Sequence, residues 1–140
     1  MIDLRDDRLH GVDHVAVAVR DIDRHVAFFR DQLGLPIVHD EILSSPPVRL
    51  LHLDAENLHI QLVQPLGPSR VATFIEERGE GLHHVCFRVT RIEATLAGLG
   101  LVADGDVFQG GRGQPSCFLD AHALGLEVEL TELAARPLAS

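Results

Sequence analysis

The sequence has no tryptophan and no tyrosine among its 140 residues, and only six phenylalanines. A pocket that grips a flat apolar ligand by stacking would have few platforms here. Basic residues are scarce too: 12 Lys and Arg stand against 21 Asp and Glu, a net charge of -9 with histidine neutral. That deficit argues against a chain that wraps nucleic acid or docks on an anionic membrane, because both need a sustained positive field. A small anionic ligand stays open, since local field depends on where each charge sits. No apolar run reaches the roughly 18 residues of a membrane span, and the first residues show no signal-peptide pattern. Cytoplasmic residence is the expectation. Cysteine is nearly absent, and Cys86 and Cys117 both lie in apolar, strand-like runs. Buried, reduced thiols are expected rather than a disulfide.

Histidine is what the chain has in quantity, nine in all. "HVAVAV", residues 14 to 19, alternates as a strand with one buried face does. Asp21 then caps a predicted helix in which Ile22, Val26, Phe29 and Leu33 recur at helical spacing, and Gly34 stops it. An extended piece near Ile37 to Ile42, a loop with Pro46 and Pro47, and the strands "VRLLHLD" and "NLHIQLV" follow, with a turn over Asp54 to Asn57. The second half repeats this order. "HVCFRV", residues 84 to 89, overlays "HVAVAV" at a constant offset of 70, which sets Ile92 on Ile22. "PSCFLD" and "LEVELTE" supply two further strands around a turn at Asp120 to Gly125. The chain reads as a β-α-β-β-β unit written twice, residues 11–66 and 81–133, joined by a helical linker into one domain over 11–140.

Strand parity sorts the candidates for chemistry. His14, Ala16 and Ala18 share one face of the first strand, and Val15, Val17 and Val19 the other, the natural one to pack on a helix. In the second half His84, Cys86 and Arg88 share a face, so His84 and not His83 is the counterpart of His14. His83 is expected to orient a turn or a neighbour of the site. On the last strand of each unit, Gln61 falls with His59 and Val63, and Glu129 with Glu127 and Thr131. If the halves curl around a shared cleft, His14, Gln61, His84 and Glu129 converge. Two imidazoles, an amide oxygen and a carboxylate suit a borderline divalent ion such as Co²⁺, Ni²⁺, Zn²⁺ or Mn²⁺, and leave positions open for substrate oxygens. Glu129 stands out because a carboxylate between Val128 and Leu130 is costly to bury without a cation or strong donors.

The stretches "GVDHVAVAVRDIDRHVAFFRDQLGL", "LHIQLVQPLG", "VATFIEERGEGLHHVCFRV" and "GLEVELTEL" resemble the vicinal oxygen chelate (glyoxalase/bleomycin resistance/dioxygenase) superfamily, and within it most closely the methylmalonyl-CoA epimerases. The resemblance runs from about residue 11 to 133, and "PLG…FIEERGEGLHH" is the part most specific to the epimerase branch. It implies an α+β fold of paired modules forming a half-open, metal-centred barrel, with His14, Gln61, His84 and Glu129 at the family's metal positions. It also implies a small-molecule substrate, possibly an acyl-CoA, a homodimer, and removal of a proton beside a thioester through an enolate stabilised by the metal.

The sequence departs from that family on the third strand. Epimerases enter it through a loop resembling "PEQGV", and in some members a glutamate on that strand serves as acid or base. Here the segment is "SSPPVRLLHL", with Leu50 near that position and no carboxylate from Leu43 to Leu53. Glu127, on the face of Glu129, and His52, on the face of Leu50, are the candidates to substitute. "FQGGRGQPSCF" is an altered form of the family's glycine-rich loop, whose N–H groups and Arg112 would suit a carboxylate or phosphate as well as a mobile hairpin. Two other readings share the fold: a glyoxalase-I-like lyase acting on a thiol adduct, and a small-molecule-binding protein of the resistance type.

Overall fold

The computed structural model describes residues 5–120 and 125–133. Its elements run β1 (Leu9–Ala18), α1 (Ile22–Val26), β2 (Ile37–Ser44), β3 (Pro47–Asp54), β4 (His59–Pro65), α2 (Arg70–Arg78), β5 (Gly81–Val89), α3 (Ile92–Leu99), β6 (Phe108–Gln109), β7 (Pro115–Phe118) and β8 (Glu127–Glu132). The fold is α+β, and the repeated strand, helix and three strands are present in chain order. The residues group into two compact units, Asp13–Val85 and the rest of the chain on either side of it, with the divisions falling inside β1 and β5.

The strands of the first unit follow the order β2-β3-β4-β1. β1 runs parallel to β4, setting His14 opposite His59 and Ala16 opposite Gln61. β4 is antiparallel to β3, setting His52 opposite Gln61 and Leu50 opposite Val63. The pleat sends alternate residues to opposite faces. On one face Val17, Val19, Leu51, Leu53, Ile60 and Leu62 pack on Ile22, Val26 and Phe29 of the first helix, as the branched residues of β1 predicted. On the other, Ala16, Ala18, Val48, Leu50 and Val63 pack against Val71, Phe74 and Ile75 of α2. The small residues of β1 make room for that helix. Burying a leucine or isoleucine completely contributes about 1.5–3 kcal/mol, so these contacts hold the strand registers that place the site.

Asp21 caps α1 as expected, its side chain accepting from the Asp23 N–H. After Val26 the backbone widens into a π-helical segment, Ala27–Gln32. The wider winding turns Leu33 away from the core, 53 % exposed, although its spacing predicted a buried position. The proline loop is tighter than predicted: β3 begins at Pro47 and Leu66 N–H bonds back to the Pro47 carbonyl. Glu80, just before β5, accepts from the Arg20 N–H at 2.8 Å and lies 3.0 Å from His25 Nε2.

In the second unit the order is β8-β7-β6, and Leu133 N–H donates to Val89 O at the end of β5. Val89, Ile92, Cys117, Leu119 and Leu130 form its core, with Leu96 and Val128 against it. Cys86 and Cys117 are both buried, and neither is in a disulfide among the described residues. β6 has only two residues, too short for a periodicity to mark it. The expected turn at Asp120 to Gly125 falls largely on residues 121–124, outside those described, as do residues 134–140 of the expected domain.

Candidate metal centre

In the first unit, His14 and His84, separated by 70 residues, bring their Nε2 atoms to 3.2 Å. Both side chains are buried, each with 4 % relative exposure. The other nitrogen of each ring is spoken for. His14 Nδ1 lies 2.7 Å from Asp13 Oδ2. A carboxylate only accepts, so neutral His14 carries its proton on Nδ1 and presents a bare lone pair at Nε2. His84 Nδ1 lies 2.7 Å from His83 Nδ1, and the His83 ring stands edge-on to Phe74 at 5.0 Å. His83 therefore orients its neighbour, as parity suggested. Asp13 was not singled out in the sequence, and the only signal for it was a carboxylate directly before a histidine.

This donor arrangement fits a divalent ion. Two nitrogens each about 2.1 Å from one ion, at 90 to 109° to one another, stand about 3.0–3.4 Å apart, which brackets the observed spacing. Gln61 is buried on the same face of the sheet, its amide nitrogen 2.9 Å from His52 Nε2. His52 is completely buried, and its Nδ1 lies 3.1 Å from His59 Nδ1. Its ring meets those of His14 and His39 edge-on, with centroids 5.5 and 5.8 Å apart. His39 Nε2 is 3.1 Å from Glu41 Oε1 but makes no hydrogen bond among the described residues. The close approach there is an ion-pair contact at most. Leu50 is buried among Ala16, Ala18 and Val63.

In the second unit, Glu129 is a buried carboxylate on β8, cross-strand from Phe118, and Thr131 beside it is cross-strand from Ser116. Glu127 is half-buried on the same strand face. Ser116 Oγ donates to Thr131 Oγ1 at 3.0 Å. The glycine-rich loop folds back on this pair, and a Cβ at Gly110 would stand 2.5 Å from Ser116 Oγ. Only glycine allows that approach. Arg112 is exposed, at φ +61°. Burial, with Glu129 and Glu132 adding to it, pushes the Cys117 thiol up to about 11.

The model of the Glyoxalase/Bleomycin resistance protein/Dioxygenase superfamily matches residues 13–118 of this chain, well over half its length. The chain belongs to that superfamily. Among its relatives in the superfamily is the Bacillus subtilis protein YqjC, itself described as uncharacterized, 29 % identical over 130 residues that span 89 % of this chain and 93 % of that one. The ethylmalonyl-CoA/methylmalonyl-CoA epimerase of Cereibacter sphaeroides is 31 % identical over 115 residues, 77 % of this chain and 86 % of the enzyme. A variant of the Streptomyces coelicolor methylmalonyl-CoA epimerase, solved with 2-nitronate-propionyl-CoA, superposes with a TM-score of 0.81 at 30 % identity, covering 91 % of this chain and 100 % of that one. The last two relatives are thus epimerases of acyl-CoA thioesters, and the solved one shares the fold described above. Among the described residues no helix is long and apolar enough to cross a membrane.

Proposed function

We propose that this chain is a divalent-metal-dependent epimerase that removes the α proton of a methylmalonyl-CoA-like thioester. The observation that carries the reading is the pair of buried histidines with facing Nε2 atoms at 3.2 Å, in a chain with epimerases of such thioesters among its relatives. His14, Gln61, His84 and Glu129 are the proposed ligands. His14, His84 and Glu129 are buried and each offers one ligand atom, and Gln61 adds an amide oxygen. Co²⁺, Ni²⁺, Zn²⁺ and Mn²⁺ fit this nitrogen and oxygen set. An ion bound there supplies Lewis-acid withdrawal of charge from the substrate's carbonyl oxygens.

The rest is done by the chain's own groups. Asp13 and His83 hold the two imidazoles with Nε2 outward. Glu127, half-buried on the strand face of Glu129, is the proposed acceptor of the α proton. His52 is the other candidate, but both its ring nitrogens are already engaged. The two modules, 11–66 and 81–133, are proposed to work as one domain in a cytoplasmic homodimer. The edge strand β2, with Val38 and Ile42 exposed, is a surface that pairing would cover.

A second reading keeps one observation in its favour. Leu50 sits in an apolar cluster where an epimerase would carry a carboxylate, which suits a glyoxalase-like lyase or a small-molecule-binding protein. Incorporation of solvent deuterium into methylmalonyl-CoA, followed by mass spectrometry with the Co²⁺-loaded chain, separates the two. Metal-dependent exchange is expected, and Glu127→Gln is expected to slow it by about 10²–10⁴-fold. A fully loaded protein with no exchange above background overturns the epimerase reading.

A further inference from the structure

Gln61 and His52 stand directly opposite each other on β4 and β3, as do His59 and Asp54 two pairs along. Gln61 Nε2 is 2.9 Å from His52 Nε2, and His52 Nδ1 is 3.1 Å from His59 Nδ1. His52 is completely buried and Gln61 nearly so, with 3 % relative exposure. These three groups form a series in which each hydrogen decides the next. An amide nitrogen only donates, so His52 Nε2 must accept. Neutral His52 then carries its proton on Nδ1, and donates it to His59 Nδ1. His59 in turn carries its own proton on Nε2. The opposite direction would require the Gln61 amide turned over, its oxygen accepting from a His52 Nε2–H.

We infer that His52 is a positioning residue for Gln61. It takes up the amide N–H and so leaves the amide oxygen, the only atom of that group with lone pairs, for the ligand site. His59 acts one step further out by fixing which nitrogen of His52 bears the proton. A glutamine left unheld presents either its oxygen or its NH₂ group, and the NH₂ group cannot bind a cation. The consequence for the ion rests on the metal reading above. The direction of the hydrogen bonds does not.

The test starts on the unaltered, metal-free protein, where long-range ¹H–¹⁵N correlation of the imidazole rings reports each tautomer. His52 protonated on Nδ1 is the expected result, and His52 protonated on Nε2 overturns the inference. Co²⁺ affinity, measured by competition with a chelator, tests the role. His52→Phe removes the acceptor and should weaken Co²⁺ binding by about 10–100-fold, while His52→Gln, whose side-chain oxygen can accept the same hydrogen bond, should restore most of it. Unchanged affinity in His52→Phe, or equal losses in both variants, overturns the role. An unaltered chain that binds no Co²⁺ overturns the metal reading instead, and the ring tautomer still decides the hydrogen-bond assignment.

Discussion

Thr95 is completely buried on α3 and its hydroxyl has no hydrogen-bond partner among the described residues. A buried polar group left unmatched costs about 1–3 kcal/mol, and an apolar group of the same shape removes the cost. Thr95→Val is therefore expected to raise unfolding stability by about 1 kcal/mol, read from the denaturant midpoint at unchanged slope. Asp13 acts in the opposite sense. Its carboxylate fixes the His14 tautomer at 2.7 Å, so Asp13→Asn should weaken Co²⁺ binding by about 10–100-fold in a chelator competition while leaving the fold intact. Strand parity in the sequence, in which side chains alternate strictly, set His14 and His84 apart from His83, and the structure brings those two rings to 3.2 Å. The contacts of Asp13 and His59 were not legible that way. Hydrogen bonds between adjacent or cross-strand rings depend on side-chain rotation and register, which residue order leaves open.

At the scale of elements, the segment leading into β1 is held by one side chain. Asp6 accepts from the Arg8 N–H, lies 2.5 Å from His10 Nε2, and accepts from the Thr90 hydroxyl. These donors, the Arg8 backbone first, hold its carboxyl well below the usual carboxylate range. A carboxylate with a lowered folded pKa stabilises the native state above its unfolded value, about 3.9, and loses that contribution as pH falls toward the folded value. Acidification below about pH 4 should thus lower the amide protection factors, taken against intrinsic exchange, at residues 8–10 and 90 before the core opens, and Asp6→Asn should lower them at pH 7 with a flatter acid limb. Wild-type protection factors independent of pH in that range would contradict this anchoring. Most elements could be placed from alternation and caps, as with Asp21 before α1 and the valines of β1. The π-helical segment and β6 could not. A helical pattern of apolar residues does not distinguish an α turn from a wider one, and a two-residue strand has no period.

For the whole molecule, the net charge of -9 and the buried thiols give one expectation independent of function. Neither cysteine should react with a thiol reagent at pH 8 in the native state, and both should on unfolding. With Cys117 raised to about 11 by burial, fast native labelling of it would contradict the core described here. Metal binding gives a second expectation. An ion that binds only the folded chain stabilises it by about 2.7 kcal/mol at a free concentration of 100 times Kd, so Co²⁺ should raise the melting temperature in a concentration-dependent way. The proposed ligands His14, Gln61, His84 and Glu129 are read out by the metal content of the chain. Co²⁺ stoichiometry measured by elemental analysis after gel filtration should be one ion per chain, and Glu129→Ala and His84→Ala should lose it. A wild-type chain that holds no ion, or a Glu129→Ala chain that keeps full stoichiometry and affinity, would overturn this ligand set.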